Sequence, residues 1–212
     1  DTFVNLMSVM KSAVSKYGRP KVFNFDNGAS YKNRQMELLA ARIGSVISYC
    51  RPYTPTQKAK IERWFRTLKD QWMASLDMRD FHTLEELRGS LLTFVRSYNQ
   101  RPHSSLKGMS PQERFFQEPE LICPLPDEQI ESSFLLEIER RVSADSVIVI
   151  DPVEYEVDYR FAKQRITLRY TPDMKDIFIV EADGALTPIR LLNKHDNASV
   201  KRDKVRLTGG ED

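Results

Sequence analysis

The sequence has few of the residues that ligate zinc or staple a chain. Cys50 and Cys123 are its only cysteines, and His82, His103 and His195 its only histidines. The thiols stand far apart without metal-ligand spacing and the histidines are scattered, so no zinc site is available. The cysteines read as reduced core or near-surface thiols of a cytosolic protein. No apolar run approaches the ~18 residues that span a bilayer, and no secretory signal opens the chain, so the sequence offers no helical membrane span. Internal repeats and low-complexity tracts are also missing. Nor is there a large excess of one charge. The 32 basic residues barely outnumber the 30 acidic ones, for a net charge of +2.

What is present is ordinary for a globular chain of one large or two small domains: 212 residues, 41% apolar and 29% charged. Phe3, Leu6, Met10 and Val14 recur at helical spacing over residues 2–17, and Gly18 and Pro20 end that helix. Val22, Phe23 and Phe25 are strand formers, and Asn27-Gly28 is a turn signal. Asp26 thus falls at the carboxyl end of a strand, where open α/β sheets place ligands. A second helix is expected over 33–43 with Gly44 as its cap, then a short strand over 46–49. Pro52 and Pro55 hold the next loop extended, and Thr56 is the candidate cap of a third helix running to about Met78. Ile61, Phe65, Leu68 and Trp72 should pack on the core, and Lys58, Glu62, Arg66 and Lys69 form a separate charged stripe. A carboxylate among cations suits a site where Mg²⁺ meets a phosphate backbone.

Thirty-five residues separate Asp26 from Glu62. In a chain with 30 acidic residues that spacing alone carries little. The ordered string carries more: Gly18-Arg-Pro before the strand, Asp26-Asn-Gly at its end, and Lys60-Ile-Glu-Arg63 on the helix. It resembles the second Asp and the Glu of the DDE (D,D-35-E) integrase and transposase superfamily. Ala59 departs from the Gly that many relatives carry, at a loop or helix-start position that leaves Glu62 intact. The resemblance implies an RNase H-like core and polynucleotidyl transfer on double-stranded DNA with two Mg²⁺ (or Mn²⁺) ions. Water first frees a 3′-hydroxyl at an element's end, and that hydroxyl then attacks target DNA. Asp26 and Glu62 would each hold one ion, and Lys58, Lys60, Arg63, Arg66 and Lys69 would hold DNA phosphates. It also implies self-association, action on chromosomal DNA in a bacterial-type cytoplasm, and no membrane partner. The zinc-binding module of retroviral integrases has no counterpart here.

Thr83-Leu-Glu-Glu86 is a capping box that opens a further helix, with Leu84, Leu87, Leu91, Leu92 and Val95 as its apolar positions. Tyr98-Asn-Gln-Arg-Pro-His-Ser-Ser-Leu106 resembles the segment that closes the core in bacterial transposases. Ser110-Pro-Gln-Glu113 is a second capping box with Pro at the first helical position. Pro119, Pro124 and Pro126 mark a linker, and Ile130, Phe134 and Ile138 fit a helix from Asp127 to about Glu139. Five strand-like runs follow: 147–150, 155–157, 165–170, 177–180 and 186–191. Their rhythm resembles the small SH3-like barrel at the end of Mu-type transposases. The basic tail from Lys194 to Arg206 contacts phosphate or is merely solvated.

The expected fold class is therefore α/β, a partial RNase H-like core lacking its first three strands, plus a small all-β barrel. Residues 1–118 would be the core, 119–140 a linker and helix, and 141–207 the barrel. The family's first Asp has no place before Asp26, since residues 2–17 form one helix. The chain thus reads as the C-terminal part of a transposase, inactive alone and with an unpaired sheet edge that invites a second copy. The competing reading is a non-catalytic DNA-binding or assembly module, a transposase remnant.

Overall fold

The computed structural model describes residues 3–50 and 59–192. The chain forms two compact units, Asp1–Phe134 and Leu135–Asp212.

The first unit opens with α1 (Phe3–Tyr17), which buries Met7, Met10 and Val14 along one stripe. Gly18 ends it with φ 79°, and its N–H donates to the Val14 carbonyl. Glycine is required here twice over. Few other residues adopt that φ, and a Cβ at Gly18 would stand 2.7 Å from the Cys123 carbonyl oxygen. The approach is used at once, because the Arg19 N–H donates to the same oxygen at 2.8 Å.

Strand β1 (Val22–Phe25) lies parallel to β2 (Val46–Tyr49), with Val22 opposite Val46 and Phe25 opposite Tyr49. Between them runs α2 (Arg34–Ile43). Asn33 caps its start by accepting from the Met36 N–H, and Gly44 closes it in the left-handed conformation. Met36, Leu39, Ala40 and Ile43 are buried. The second face of this core is α6 (Asp127–Ser133), which packs on α1 and α2 and contributes Ile130. Lys11 pairs with Glu131, and Arg42 donates to the Ser133 carbonyl.

Helix α3 (Ala59–Gln71) departs from expectation. It buries no residue, and Ile61 and Phe65 are 47% and 55% exposed rather than packed on a core. Its contact instead runs along a neighbouring flank to α4 (Leu84–Gln100). Trp64 stacks on Tyr98 with ring centroids 5.2 Å apart and planes 3° from parallel, and Phe94 lies beside both. Trp72 Nε1 donates to Ser90 Oγ at 3.1 Å. The helix stops at Gln71, short of Met78, and a tight turn over Met73–Ser75 follows. Both capping boxes form: Thr83 with Glu86 opens α4, and Ser110 with Glu113 opens α5 (Pro111–Phe116).

The second unit holds β3 (Leu136–Arg141), β4 (Val147–Ile150), β5 (Val153–Glu156), β6 (Arg165–Tyr170), β7 (Ile177–Val180), β8 (Leu186–Pro188) and β9 (Arg190–Leu191). They build two antiparallel sheets, β3-β6-β7-β8 and β4-β5-β9, on one core that includes Val142, Ile148, Ile166, Leu168 and Ile179. Two features differ from expectation. The helix thought to reach Glu139 ends at Ser133, and Ile138 lies on β3 opposite Leu168. A four-residue separation fits a helix, but it is also an even number, so Phe134 and Ile138 satisfy a strand's two-residue period equally well. The run 186–191 also divides at Ile189, whose N–H donates to the Ile177 carbonyl. β8 stays with β7 while β9 crosses to pair with β5.

Candidate nucleic-acid site

Asp26 directly follows β1, as expected from the strand-and-turn signal. Its Oδ1 accepts from the Gly28 N–H at 2.9 Å, so the carboxylate organises its own turn. A Cβ at Gly28 would meet that oxygen at 2.8 Å, which explains the glycine. Asn27 Nδ2 donates to the Cys50 carbonyl, and the Cys50 N–H donates to the Phe25 carbonyl, both at 2.8 Å. The ends of the two parallel strands are thereby tied together, and Asp26 sits on this clamp, partly buried.

Glu62 lies in the first turn of α3 and is exposed. Lys60, Arg63, Arg66 and Lys69 lie along the same helix, all of them exposed. Lys58, the fifth cation of the expected set, lies outside the described residues, as do Thr56 and the basic tail from Lys194. Among the described residues no three His, Cys, Asp or Glu side chains come together as a metal cluster. Cys50 is a buried free thiol and Cys123 a partly buried one. His103 is local in its bonding: its N–H donates to the Met109 carbonyl, and its ring packs 4.6 Å from that of Tyr98. No helix among the described residues is long and apolar enough to cross a membrane.

What sequence reasoning missed is the support of α3. Trp64, which stacks on Tyr98 of α4, was not among the positions expected to pack, whereas Trp72, which was, donates to Ser90 of α4. The spacing of Trp64, Leu68 and Trp72, four residues apart each time, was the available signal.

Residues 44–111 match the integrase core domain family, a span that takes in β2, Glu62, α3 and α4 and leaves Asp26 outside. The chain is similar to a putative transposase for insertion sequence element IS5376 of Geobacillus stearothermophilus. They are 29% identical over 128 residues, covering 56% of this chain and 31% of that one. It is also similar to the transposase for insertion sequence element IS21 of Pseudomonas aeruginosa. That match is 26% identical over 164 residues, or 77% of this chain and 41% of the other. The chain therefore spans less than half the length of these relatives. Among solved structures, the catalytic core domain of BIV integrase aligns with a TM-score of 0.45 and 23% identity over 56% of this chain and 74% of that one. An integrase core match thus spans the α3–α4 region, and transposases of insertion sequence elements are among the proteins this chain resembles.

Proposed function

We propose that the chain is the C-terminal part of the catalytic region of a DNA transposase or integrase that cuts and joins double-stranded DNA with Mg²⁺ or Mn²⁺. The observation that carries this reading is the integrase core match over 44–111, which includes the whole of the Glu62 helix. Asp26 and Glu62 are the carboxylates assigned to metal. Both are hard oxygen donors, the kind Mg²⁺ takes together with phosphate oxygens and water, so the donor chemistry suits the ion. When bound, a metal pair stabilises the attacking and leaving oxygens of an in-line displacement at phosphorus.

The chain's own residues supply binding and position. Lys60, Arg63, Arg66 and Lys69, with Lys58 before them, hold neighbouring DNA phosphates. The Asn27–Cys50 clamp keeps the Asp26 turn fixed to the sheet. In the finer fold assignment, the first unit is a partial RNase H-like core without its first three strands, and the second is an SH3-like barrel of the Mu-transposase kind. The passage from β8 to β9 between sheets over a single core supports the latter. The family uses three carboxylates, so the chain alone is expected to be inactive and to work within a self-associated assembly on DNA.

The test is joining of a labelled duplex end into plasmid DNA by the protein that carries this chain. Glu62→Gln should abolish joining while leaving DNA binding within about twofold. Lys60→Ala and Arg66→Ala should weaken binding and flatten its salt dependence, by about one unit of log–log slope for each phosphate no longer neutralised. Joining by the Glu62→Gln protein at the parent rate overturns the assignment. Binding without joining in either metal favours a non-catalytic module.

A further inference from the structure

The first unit carries a groove for which the proposed chemistry has no use. Its floor is aromatic. Tyr17, at the end of α1, meets Phe115 of α5 edge-on at 5.6 Å, and Phe115 meets Phe116 edge-on at 5.0 Å. The three rings remain 45%, 43% and 56% exposed, unusual for large apolar groups that lie side by side. On one side of them is a hollow of about 540 Å³ walled by Lys16, Arg96 and the amides Asn99, Gln100 and Gln112. Among the described residues no carboxylate lines it. On the other side of the Tyr17–Phe115 pair is a second hollow of about 480 Å³, whose apolar wall includes Val14, Phe23, Leu121 and Ile122. Its charges are already committed: Arg114 pairs with Glu118, and Arg19 donates to the Gly44 carbonyl. Lys16 is different, held over the Tyr17 ring at 5.0 Å. Among the described residues neither Lys16 nor Arg96 has a carboxylate partner.

We propose that this two-lobed groove docks an acidic peptide segment of another protein. One apolar side chain of the segment enters each lobe, and its carboxylates face Lys16 and Arg96. Three observations select that occupant. The unmatched charge on the larger lobe is positive, so an anionic partner is complementary. The amides of Asn99, Gln100 and Gln112 both donate and accept, as a peptide main chain requires. The rings stand at 78° and 89° to their neighbours, so they form corners for side-chain anchors. Single-stranded nucleic acid prefers a run of open parallel faces on which successive bases stack. The groove belongs to the first unit throughout and does not depend on the catalytic assignment.

The test uses the whole chain and a fluorescein-labelled twelve-residue peptide of glutamates with two leucines four positions apart. Its lysine-for-glutamate counterpart and a labelled oligothymidine serve as comparisons. The acidic peptide should bind saturably and at least tenfold tighter than the lysine peptide. Arg96→Glu should weaken it tenfold or more, and Phe116→Ala at least fivefold. Arg88→Glu, on the same helix but paired with Glu85 away from the groove, should change it less than twofold. In the unaltered chain, amide shifts on adding peptide should concentrate at residues 16–17, 96–100 and 112–116. Absence of saturable binding, equal binding by Arg96→Glu, or shifts elsewhere overturns the proposal. So does oligothymidine that occupies these residues and is not displaced by the acidic peptide. Joining is scored separately, so either result can fail without the other.

Discussion

Replacing Trp64 by leucine tests how α3 is held. The helix has no buried residue, and its main purchase on α4 is the parallel stack of Trp64 on Tyr98 at 5.2 Å. An aromatic pair of this kind contributes about 0.5–1.5 kcal/mol beyond the area it covers. Leucine keeps part of that area and removes the ring stack, so Trp64→Leu should destabilise the first unit by about 1–2 kcal/mol. Tyr98→Leu removes more, because that ring also packs against His103 and lies 5.7 Å from the Arg101 guanidinium. A double-mutant cycle separates the shared part, and the coupling between the two positions should be about 0.5–1.5 kcal/mol. Urea unfolding followed by tryptophan emission suits the purpose. The chain has only two tryptophans, both in the first unit, and Trp72 remains as the reporter in the variant. Hydrogen exchange along α3 should speed up about tenfold, as a loss of roughly 1.4 kcal/mol in local opening requires. Strictly additive effects, or unchanged exchange in α3, would refute the reasoning.

Gly18→Ala should destabilise the first unit by more than about 1 kcal/mol, because the added Cβ meets the Cys123 carbonyl and the backbone stays at φ 79°. Unfolding of this variant at the parent's urea midpoint would show that Arg19 and Cys123 separate at no cost. In the second unit, hydrogen bonds from Lys175 and Thr171 hold the Asp173 carboxyl down to about 2. A carboxylate lowered on folding stabilises above its unfolded value, and that contribution fades as pH falls from about 4 through about 2. An NMR titration should place its midpoint near 2, and Lys175→Ala should raise it. A midpoint that Lys175→Ala leaves in place would show that the ion pair is not the cause.

Much of the first unit was legible in the sequence because its signals are local. The Gly44 cap ends α2, and the two capping boxes start α4 and α5 where Ser or Thr stands three residues before Glu. Asp26 could be placed at a strand end from the strand formers Val22, Phe23 and Phe25 and the Asn27-Gly28 turn after them. The misreadings concern partners distant in sequence. Nothing in the run Ile61–Trp72 states that α4 presents Phe94 and Tyr98, so Ile61 and Phe65 looked buried and Trp64 did not. β3 was hidden because its pairing residues lie on β6, some thirty positions onward. The groove at Tyr17 was equally illegible, since α1 and α5 contribute its floor from opposite ends of the first unit's sequence. The exposed Phe115-Phe116 pair was its only local trace.

The seating of α6 against α1 and α2 bears on where this protein tolerates being cut. A fragment that stops at Glu118 keeps every residue named for catalysis and for holding DNA along α3. It nevertheless forfeits the Cys123 carbonyl that anchors Arg19 and the Ile130 side chain that roofs the α1–α2 core. Such a piece leaves the α1–α2 core without its α6 cover and invites aggregation. One that continues through Phe134 retains the roof and leaves the second unit's sheets whole.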